Sequence, residues 1–198
     1  MQLLETIQVR DGQFQNIEYH NKRFNTSQLE LFGLAIFQCL ENLIKIPSEC
    51  SEGIFRCRVM YEKEIQAITF TPYIYKEIKM LKLVDIGDWD YSYKYADRSF
   101  MTNLLAENKD FDEVIMTQHG FITDCTIANL AFWDGTNWFT PSTPLLKGTK
   151  RQQLLDKQVI MEREISVEDL EKYEGVCLIN AFRDLSKTNL RPVSAIVG

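Results

Sequence analysis

The first candidate for chemistry is a lysine in a run of aromatic and small residues. Lys94 lies in the segment SYKYADRSF (92–100), among Tyr91, Tyr93 and Tyr95. Loss of water around an amine disfavours the ammonium form. A neutral lysine can attack an aldehyde and form a Schiff base. The alternative is a solvated surface lysine, as most lysines are.

A carboxylate and a helix start are the next candidates. Asp124 ends a predicted strand in GFITDCTIANLAFW (120–133), and a carboxylate there can hold a protonated pyridine nitrogen. Gly148 and Thr149 open a predicted helix in LLKGTKRQ (145–152), where backbone N–H groups can bind phosphate. The alternatives are an ordinary Asx-turn aspartate and a loop glycine.

A basic pair on the first predicted helix completes the set. His20 and Arg23 are three residues apart and share a helix face, so Arg23 could clamp a phosphate or belong to a solvated face. Each signal alone is common. Their order along the chain matches the needs of pyridoxal phosphate, which are an amine for C4′, an anion for N1 and donors for the phosphate.

Charge and cysteine content limit the classes of partner that this protein is expected to bind. The net charge is −6 and the basic residues are spread without a block, which disfavours nucleic acid and membrane surfaces and favours a small-molecule substrate. The five cysteines include no CxxC pair, so we expect neither a metal site nor a disulfide framework. With no long apolar run and no signal-peptide pattern, we expect a cytoplasmic protein.

Hydrophobic spacing and turn residues predict a mixed α+β chain. The predicted helices cover residues 14–33, 34–46, 97–110, 148–161 and 166–173. The predicted strands cover residues 3–9, 53–62, 64–75, 78–86, 112–117, 120–124, 128–135, 137–142, 175–182 and 191–198. An irregular stretch at 87–93 predicts a hinge. We therefore expect a small N-terminal α/β domain (1–88) and a larger, strand-rich C-terminal domain (89–198).

Several segments together resemble the class IV aminotransferase-like enzymes, the fold-type IV pyridoxal-phosphate group. LLETIQVRDGQFQNIEYHNKRF (3–24) is similar to the family's FET-x-x-V…G…H-x-x-R segment. KYADR falls where the family has its Schiff-base lysine, and GFITDCTIANLAFW resembles its G-x-V-T-E-x-x-x-x-N-L-F signature. TPLLKGTKRQ resembles its TP…G-I-x-R helix start, and CLINAF falls on a late strand that faces the phosphate and substrate.

The resemblance implies a role for each matched residue. Lys94 would be the Schiff-base residue and catalytic base, Arg23 a phosphate contact, and Asp124 the partner of the pyridine nitrogen. The cofactor-binding residues it implies are Arg23, Lys94, Asp124, Ile127, Ala128, Gly148, Thr149, Lys150, Asn180 and Ala181. It also implies a two-domain fold-type IV architecture and a homodimer.

This sequence departs from the family pattern in three places. It begins directly at the FET-like strand, so we expect a shortened N-terminal domain. Asp124 replaces a glutamate and is one methylene shorter. Ser99 stands where the aminotransferases of the family carry a tyrosine, five residues after the lysine.

The motifs favour one reaction of the family and leave others open. K-x-x-D-R and T-D-C-x-x-A-N-L are similar to motifs of 4-amino-4-deoxychorismate lyases, which form 4-aminobenzoate and pyruvate for folate synthesis. The alternatives are an amino-acid aminotransferase of the branched-chain or D-amino-acid type, and a non-catalytic binding module. Arg56 and Arg58 share a strand face and could hold a substrate carboxylate, or belong to an exposed strand face.

Overall fold

A computed structural model describes all 198 residues, and the chain divides into two compact units. The first unit comprises Met1–Tyr75 with Tyr93–Asp97, and the second comprises Lys76–Ser92 with Arg98–Gly198. The domain boundary predicted after residue 88 thus lies within the first segment of the second unit, and the segment with Lys94 belongs to the first.

The first unit is built on one antiparallel sheet. Its strands are β1 (Leu3–Arg10), β2 (Gln13–Phe14), β3 (Ile54–Tyr61) and β4 (Ile65–Pro72). They lie in the order β2-β1-β3-β4. Asp11 and Gly12 both have positive φ (49° and 75°) in the tight turn between β1 and β2, as an Asp-Gly hairpin requires.

Helices α1 (Ile17–Phe32) and α2 (Leu40–Leu43) belong to this unit, with a 3-10 helix at Ser48–Cys50. The predicted helix over 34–46 is wrong, since only α2 is helical there. The reason is that Asn25 binds both backbone polar groups of Gln38 through its side-chain amide, at 2.8 Å each. These contacts hold the chain extended after α1 ends.

The core of the first unit lies on one face of the sheet. Alternation along β1 puts Leu3, Ile7 and Val9 on this face, where they pack with Phe24 of α1. Glu5 lies on the same face of β1 as these apolar residues, because side chains alternate along a strand. A charged side chain is therefore placed inside the apolar layer.

The second unit contains two sheets. Its strands are β5 (Leu81–Asp85), β6 (Glu113–Gln118), β7 (Phe121–Cys125), β8 (Asn129–Trp133), β9 (Trp138–Pro141), β10 (Met161–Arg163), β11 (Gly175–Ile179), β12 (Arg191–Pro192) and β13 (Ile196–Val197). One sheet has the order β10-β9-β8-β11-β12 and the other β13-β5-β6-β7. The helices are α3 (Ser99–Glu107) and α4 (Thr149–Asp156), with 3-10 helices at Glu168–Lys172, Lys187–Asn189 and Val193–Ala195.

A single apolar cluster joins the two sheets of this unit. It includes Leu81 and Ile115 from the four-stranded sheet and Leu130 and Phe132 from β8. The opposite face of the five-stranded sheet packs against α4, because a second cluster includes Ala131 of β8 and partly buried leucines of α4. Along β8 the side chains therefore alternate between the inter-sheet core and the α4 side.

Most predicted elements of the second unit are confirmed within a few residues. The predicted helix over 148–161 is too long, because α4 ends at Asp156 and Gln158 has a left-handed φ of 55°. Ser166 and Asp169 form a capping box, because each side chain accepts a hydrogen bond from the other's backbone N–H, at 3.2 and 3.0 Å. None of the helices combines the length and the apolar character that crossing a membrane requires.

Candidate active site

Lys94 lies in an extended segment against the edge of β1 that β3 leaves open. Its backbone C=O accepts a hydrogen bond from the N–H of Leu4 at 2.9 Å. The next residue, Tyr95, forms an isolated antiparallel bridge with Leu3. The side chain of Lys94 is half-buried. Lys94 is therefore held by β1 and does not lie on a fully solvated loop.

The tyrosines around Lys94 divide between the two units. Tyr93 and Tyr95 belong with Lys94 to the first unit, pack against its core and have ring centres 6.2 Å apart. Tyr91 belongs to the second unit, where it stacks on Trp89 at 5.3 Å. Two of the three tyrosines thus share the unit that contains the lysine.

A buried carboxylate organises the predicted His20–Arg23 pair. Arg23 donates from Nε and one Nη to the two oxygens of Glu5, at 2.8 and 2.6 Å. Nδ1 of His20 lies 2.6 Å from the same carboxylate. Both residues lie on the face of α1 that points to β1, so the solvated-face alternative is excluded. The phosphate-contact role of Arg23 stays a prediction.

The charges of this cluster depend on one another. Burial favours the protonated form of Glu5, but the charge and hydrogen bond of Arg23, with those of His20, outweigh burial and lower the pKa of Glu5 to about 2. Burial lowers the pKa of His20, and the positive charges of Arg23 and Lys94 lower it further against the effect of Glu5. At neutral pH the cluster therefore holds an ionised Glu5, a charged Arg23 and a neutral His20, and Lys94 lies close enough to act on it electrostatically.

Arg56 and Arg58 share one face of β3, as predicted. They alternate with Cys57, which is fully buried in the core on the opposite face. The guanidinium of Arg56 lies 5.2 Å from the ring centre of Tyr73, and both arginines are half-buried. Their role in binding a substrate carboxylate stays a prediction.

Asp124 is a buried carboxylate near the end of β7. One oxygen accepts a hydrogen bond from Nδ2 of Asn129 at 2.6 Å, and the other accepts from the N–H of Leu146 at 2.9 Å. Burial raises the pKa of Asp124 to about 6, against the lowering effect of these hydrogen bonds and of the charge on Arg151. These hydrogen bonds and the charge on Arg151 therefore offset only part of the effect of burial on the pKa of Asp124.

The loop between β7 and β8 carries two of the predicted cofactor contacts, Ile127 and Ala128. Nδ2 of Asn180 donates to the C=O of Ile127 at 3.0 Å, and Ala128 C=O accepts from the N–H of Cys125 at 2.9 Å. Asn180 also holds its own turn, because its Oδ1 accepts from the N–H of Phe182 at 2.8 Å. The structure thus brings the predicted Asn180 and Ile127 together.

Helix α4 begins at the predicted phosphate segment. Gly148 is the N-cap residue, Thr149 is the first helical residue, and no side chain caps this end of the helix. Nζ of Lys150 donates to Asp184 at 2.7 Å and to Gln153 at 3.3 Å. Ala181 lies just beyond β11 and is half-buried. The phosphate-binding roles of Gly148, Thr149 and Lys150 and the facing role of Ala181 stay predictions.

Sequence reasoning missed several charged residues that support these segments. Arg98 donates to the C=O of Thr126, and the hydroxyl of Thr126 donates to the buried carboxylate of Glu113. Buried Arg151 donates to Glu162 at 2.6 Å and to the C=O of Pro141 at 2.9 Å. Glu5 did carry a detectable signal, since it is a charged residue on the same face of β1 as apolar residues.

Each unit, taken by itself, offers groups of a kind that suits pyridoxal phosphate. The first unit offers an amine, Lys94, together with an arginine, Arg23. The second offers a buried carboxylate with uncharged hydrogen-bond donors, Asp124, and an uncapped helix start after Gly148. A protonated pyridine nitrogen would add a positive charge that favours the ionised form of Asp124, and phosphate is suited to backbone N–H groups at a helix start.

Comparison with known proteins identifies the class. Residues 2–196 match the model of the family "Amino-transferase class IV", so this chain belongs to that family. It has the fold-type IV architecture, and its family consists of enzymes that depend on pyridoxal phosphate.

Three known proteins are similar to this chain over a third of its length or more. An uncharacterized protein of Haemophilus influenzae is 38% identical over 186 residues, which are 92% of this chain and 98% of that protein. A crystal structure of a "putative 4-amino-4-deoxychorismate lyase" from Haemophilus somnus is 38% identical, covers 93% of this chain and 97% of that chain, and has a TM-score of 0.86. A "putative aminodeoxychorismate lyase" of Schizosaccharomyces pombe is 36% identical over 85 residues, 40% of this chain and 37% of that protein.

Proposed function

We propose that this protein is a lyase that converts 4-amino-4-deoxychorismate to 4-aminobenzoate and pyruvate. The observation that carries the proposal is the buried Asp124 in the segment Thr123–Leu130, which resembles the corresponding segment of such lyases. The K-x-x-D-R segment that starts at Lys94 and the 38% identity to the Haemophilus somnus structure add support.

The chain's own residues divide the work. Pyridoxal phosphate, when bound, supplies an aldehyde for an amine and a ring that withdraws electrons from bonds at the substrate Cα. We propose that Lys94 would hold the aldehyde covalently, and that its Nζ, when free, would accept the proton from the substrate Cα. Asp124 would pair with the protonated pyridine nitrogen. The start of α4 and Arg23 are each proposed as phosphate contacts.

The reaction needs no external oxidant and no second substrate. When the substrate Cα has lost its proton, the bond between the neighbouring ring carbon and the enolpyruvyl oxygen can break. The substrate ring then becomes aromatic, and the released enolpyruvate takes up a proton to give pyruvate. The substrate carries carboxylates, and we propose that Arg56 or Arg58 binds one of them. A homodimer is proposed from the family resemblance alone, and sedimentation of the purified protein would test it.

The test is an assay of cofactor-loaded protein with 4-amino-4-deoxychorismate. We expect 4-aminobenzoate and pyruvate in equal amounts, and loss of both products in Lys94→Ala. The matched control is Lys109→Ala, which removes an exposed lysine of the second unit and should leave the rate unchanged. If wild-type protein that retains cofactor forms no 4-aminobenzoate, the lyase proposal is wrong.

The same preparation decides between the lyase and an aminotransferase. An aminotransferase would convert the bound cofactor to its pyridoxamine form when given an amino acid alone. Ser99, which replaces the aminotransferase tyrosine, is the first residue of α3. We therefore expect a lyase that shows little of this conversion. Protein that never retains the cofactor would instead support a non-catalytic binding module.

A further inference from the structure

The side-chain amide of Asn129 has a fixed orientation. Nδ2 donates one hydrogen bond to Asp124 at 2.6 Å and another to the C=O of Leu146 at 2.8 Å. An amide NH₂ has two hydrogens, so both are used. Rotating the amide by 180° would place its oxygen against two acceptors. Oδ1 of Asn129 therefore points away from Asp124 and Leu146.

That oxygen occupies the space where a side chain of Gly148 would begin. A Cβ added to Gly148 would lie 2.0 Å from Oδ1 and 3.2 Å from Cγ of Asn129. The backbone of Gly148 has φ −68° and ψ 147°, which any residue can adopt. The glycine is thus required by space and not by backbone conformation.

Asp124, Asn129 and Leu146 form a closed ring of hydrogen bonds. Leu146 donates its N–H to Asp124 at 2.9 Å and accepts from Asn129 through its C=O. Two residues later the chain reaches Gly148 and enters α4. The carboxylate near the end of β7 and the start of α4 are therefore joined through one buried amide.

We infer that Asn129 is a positioning residue that couples Asp124 to the start of α4, and that Gly148 is glycine because the amide of Asn129 fills its side-chain space. The consequence for catalysis rests on the proposed role of Asp124 as partner of the pyridine nitrogen. The coupling itself does not, since it exists within the protein. A glycine needed only for close approach of a phosphate would show no dependence on Asn129.

A double-mutant cycle tests the coupling. The variants are Gly148→Ala, Asn129→Ala and the double variant, each measured by urea unfolding without cofactor and by the dissociation constant for pyridoxal phosphate. Gly148→Ala should be strongly damaging alone and much less so once Asn129→Ala has made room. The product of the two single-variant effects on the unfolding equilibrium constant should differ about tenfold from the effect of the double variant. This difference corresponds to a coupling free energy of about 1.4 kcal/mol.

The test also covers a Gly148→Ala variant that fails to fold, and it includes a control asparagine. If Gly148→Ala does not fold, recovery of folded protein in the double variant supports the inference, and failure of both variants overturns it. Asn21→Ala removes another buried asparagine, in the first unit, and should combine additively with Gly148→Ala. Additive behaviour of Asn129→Ala would refute the coupling.

The positioning role has its own readout. Asn129→Ala should weaken pyridoxal phosphate binding and shift the absorption maximum of the bound cofactor, because Asp124 loses one of its donors. Asn21→Ala should leave the maximum unchanged. An unshifted maximum in Asn129→Ala would mean a structural role only. Since the unfolding cycle uses no substrate, it stands or falls independently of the lyase proposal.

Discussion

Replacing Asp124 by asparagine should change how the stability of the cofactor-free protein depends on pH. Burial raises the pKa of Asp124 from 3.8 to about 6. Between these values the folded protein holds a proton that the unfolded chain has released, so the wild type loses stability as pH rises. At about 1.4 kcal/mol for each pKa unit, the loss is about 3 kcal/mol, complete above pH 6 and absent below pH 3.8. The amide of the Asp124→Asn variant cannot titrate, so the variant escapes this loss.

The quantity to measure is therefore the stability of Asp124→Asn minus that of the wild type. The asparagine cannot accept the N–H of Leu146 in the same way, which adds a cost that does not vary with pH. The difference should nevertheless rise by about 3 kcal/mol between pH 3.8 and pH 7. Other titrating groups cancel, because both proteins contain them.

Tryptophan fluorescence during urea unfolding is a suitable assay. All three tryptophans, Trp89, Trp133 and Trp138, belong to the second unit, which also contains Asp124. A difference that stays constant with pH would refute the raised pKa of this buried carboxylate. Saturating pyridoxal phosphate should flatten the pH dependence of the wild type, because a protonated pyridine nitrogen would keep Asp124 ionised in the folded state.

Three further predictions concern other buried groups. Glu5→Gln should remove about 3 kcal/mol of stability at neutral pH, because the pKa of Glu5 is lowered from 4.5 to about 2. This stabilisation is present above pH 4.5 and is lost as the pH falls towards 2. Unfolding curves of the two proteins, measured by circular dichroism, should therefore converge in acid. Thr126→Val should cost about 1–3 kcal/mol and weaken cofactor binding, because the buried carboxylate of Glu113 loses a donor; unchanged urea midpoints would contradict it. A thiol reagent should label Cys39 quickly in native protein and the four buried cysteines only on unfolding. Burial keeps reagents away and raises the pKa of Cys57, for example, to about 12. Rapid labelling of more than one thiol would contradict the described burial.

Local patterns predicted much of the fold. Alternation identified β1, β3 and β4. The false helix over 34–46 had the right spacing, but helical spacing cannot reveal that an asparagine on α1 captures the backbone at Gln38. Hydrogen bonds between a side chain and the backbone of a distant residue are tertiary contacts, and the spacing of residues in a single sequence does not reveal them.

Only those residues of the candidate site that lie in motifs of the family could be predicted from the sequence. The resemblance pointed to Lys94, Asp124 and Gly148 without their neighbours. It gave no sign that Glu5 binds Arg23 or that Asn129 fills the space beside Gly148, because both facts depend on which strands and loops lie next to one another. Glu5 could have been found from its core parity in β1, whereas the contact of Gly148 with Asn129 required coordinates.

The central claim is that Lys94 carries the cofactor, and one spectroscopic measurement tests it most directly. Wild type, Lys94→Ala and the control Lys109→Ala would be incubated with pyridoxal phosphate, desalted and treated with borohydride. We expect a visible absorption band in the wild type and the control. Borohydride should remove this band by reducing the Schiff base, which leaves the cofactor covalently attached to Lys94, whereas Lys94→Ala should retain no attached cofactor. An equal amount of attached cofactor in Lys94→Ala, or none in the wild type, would contradict this claim.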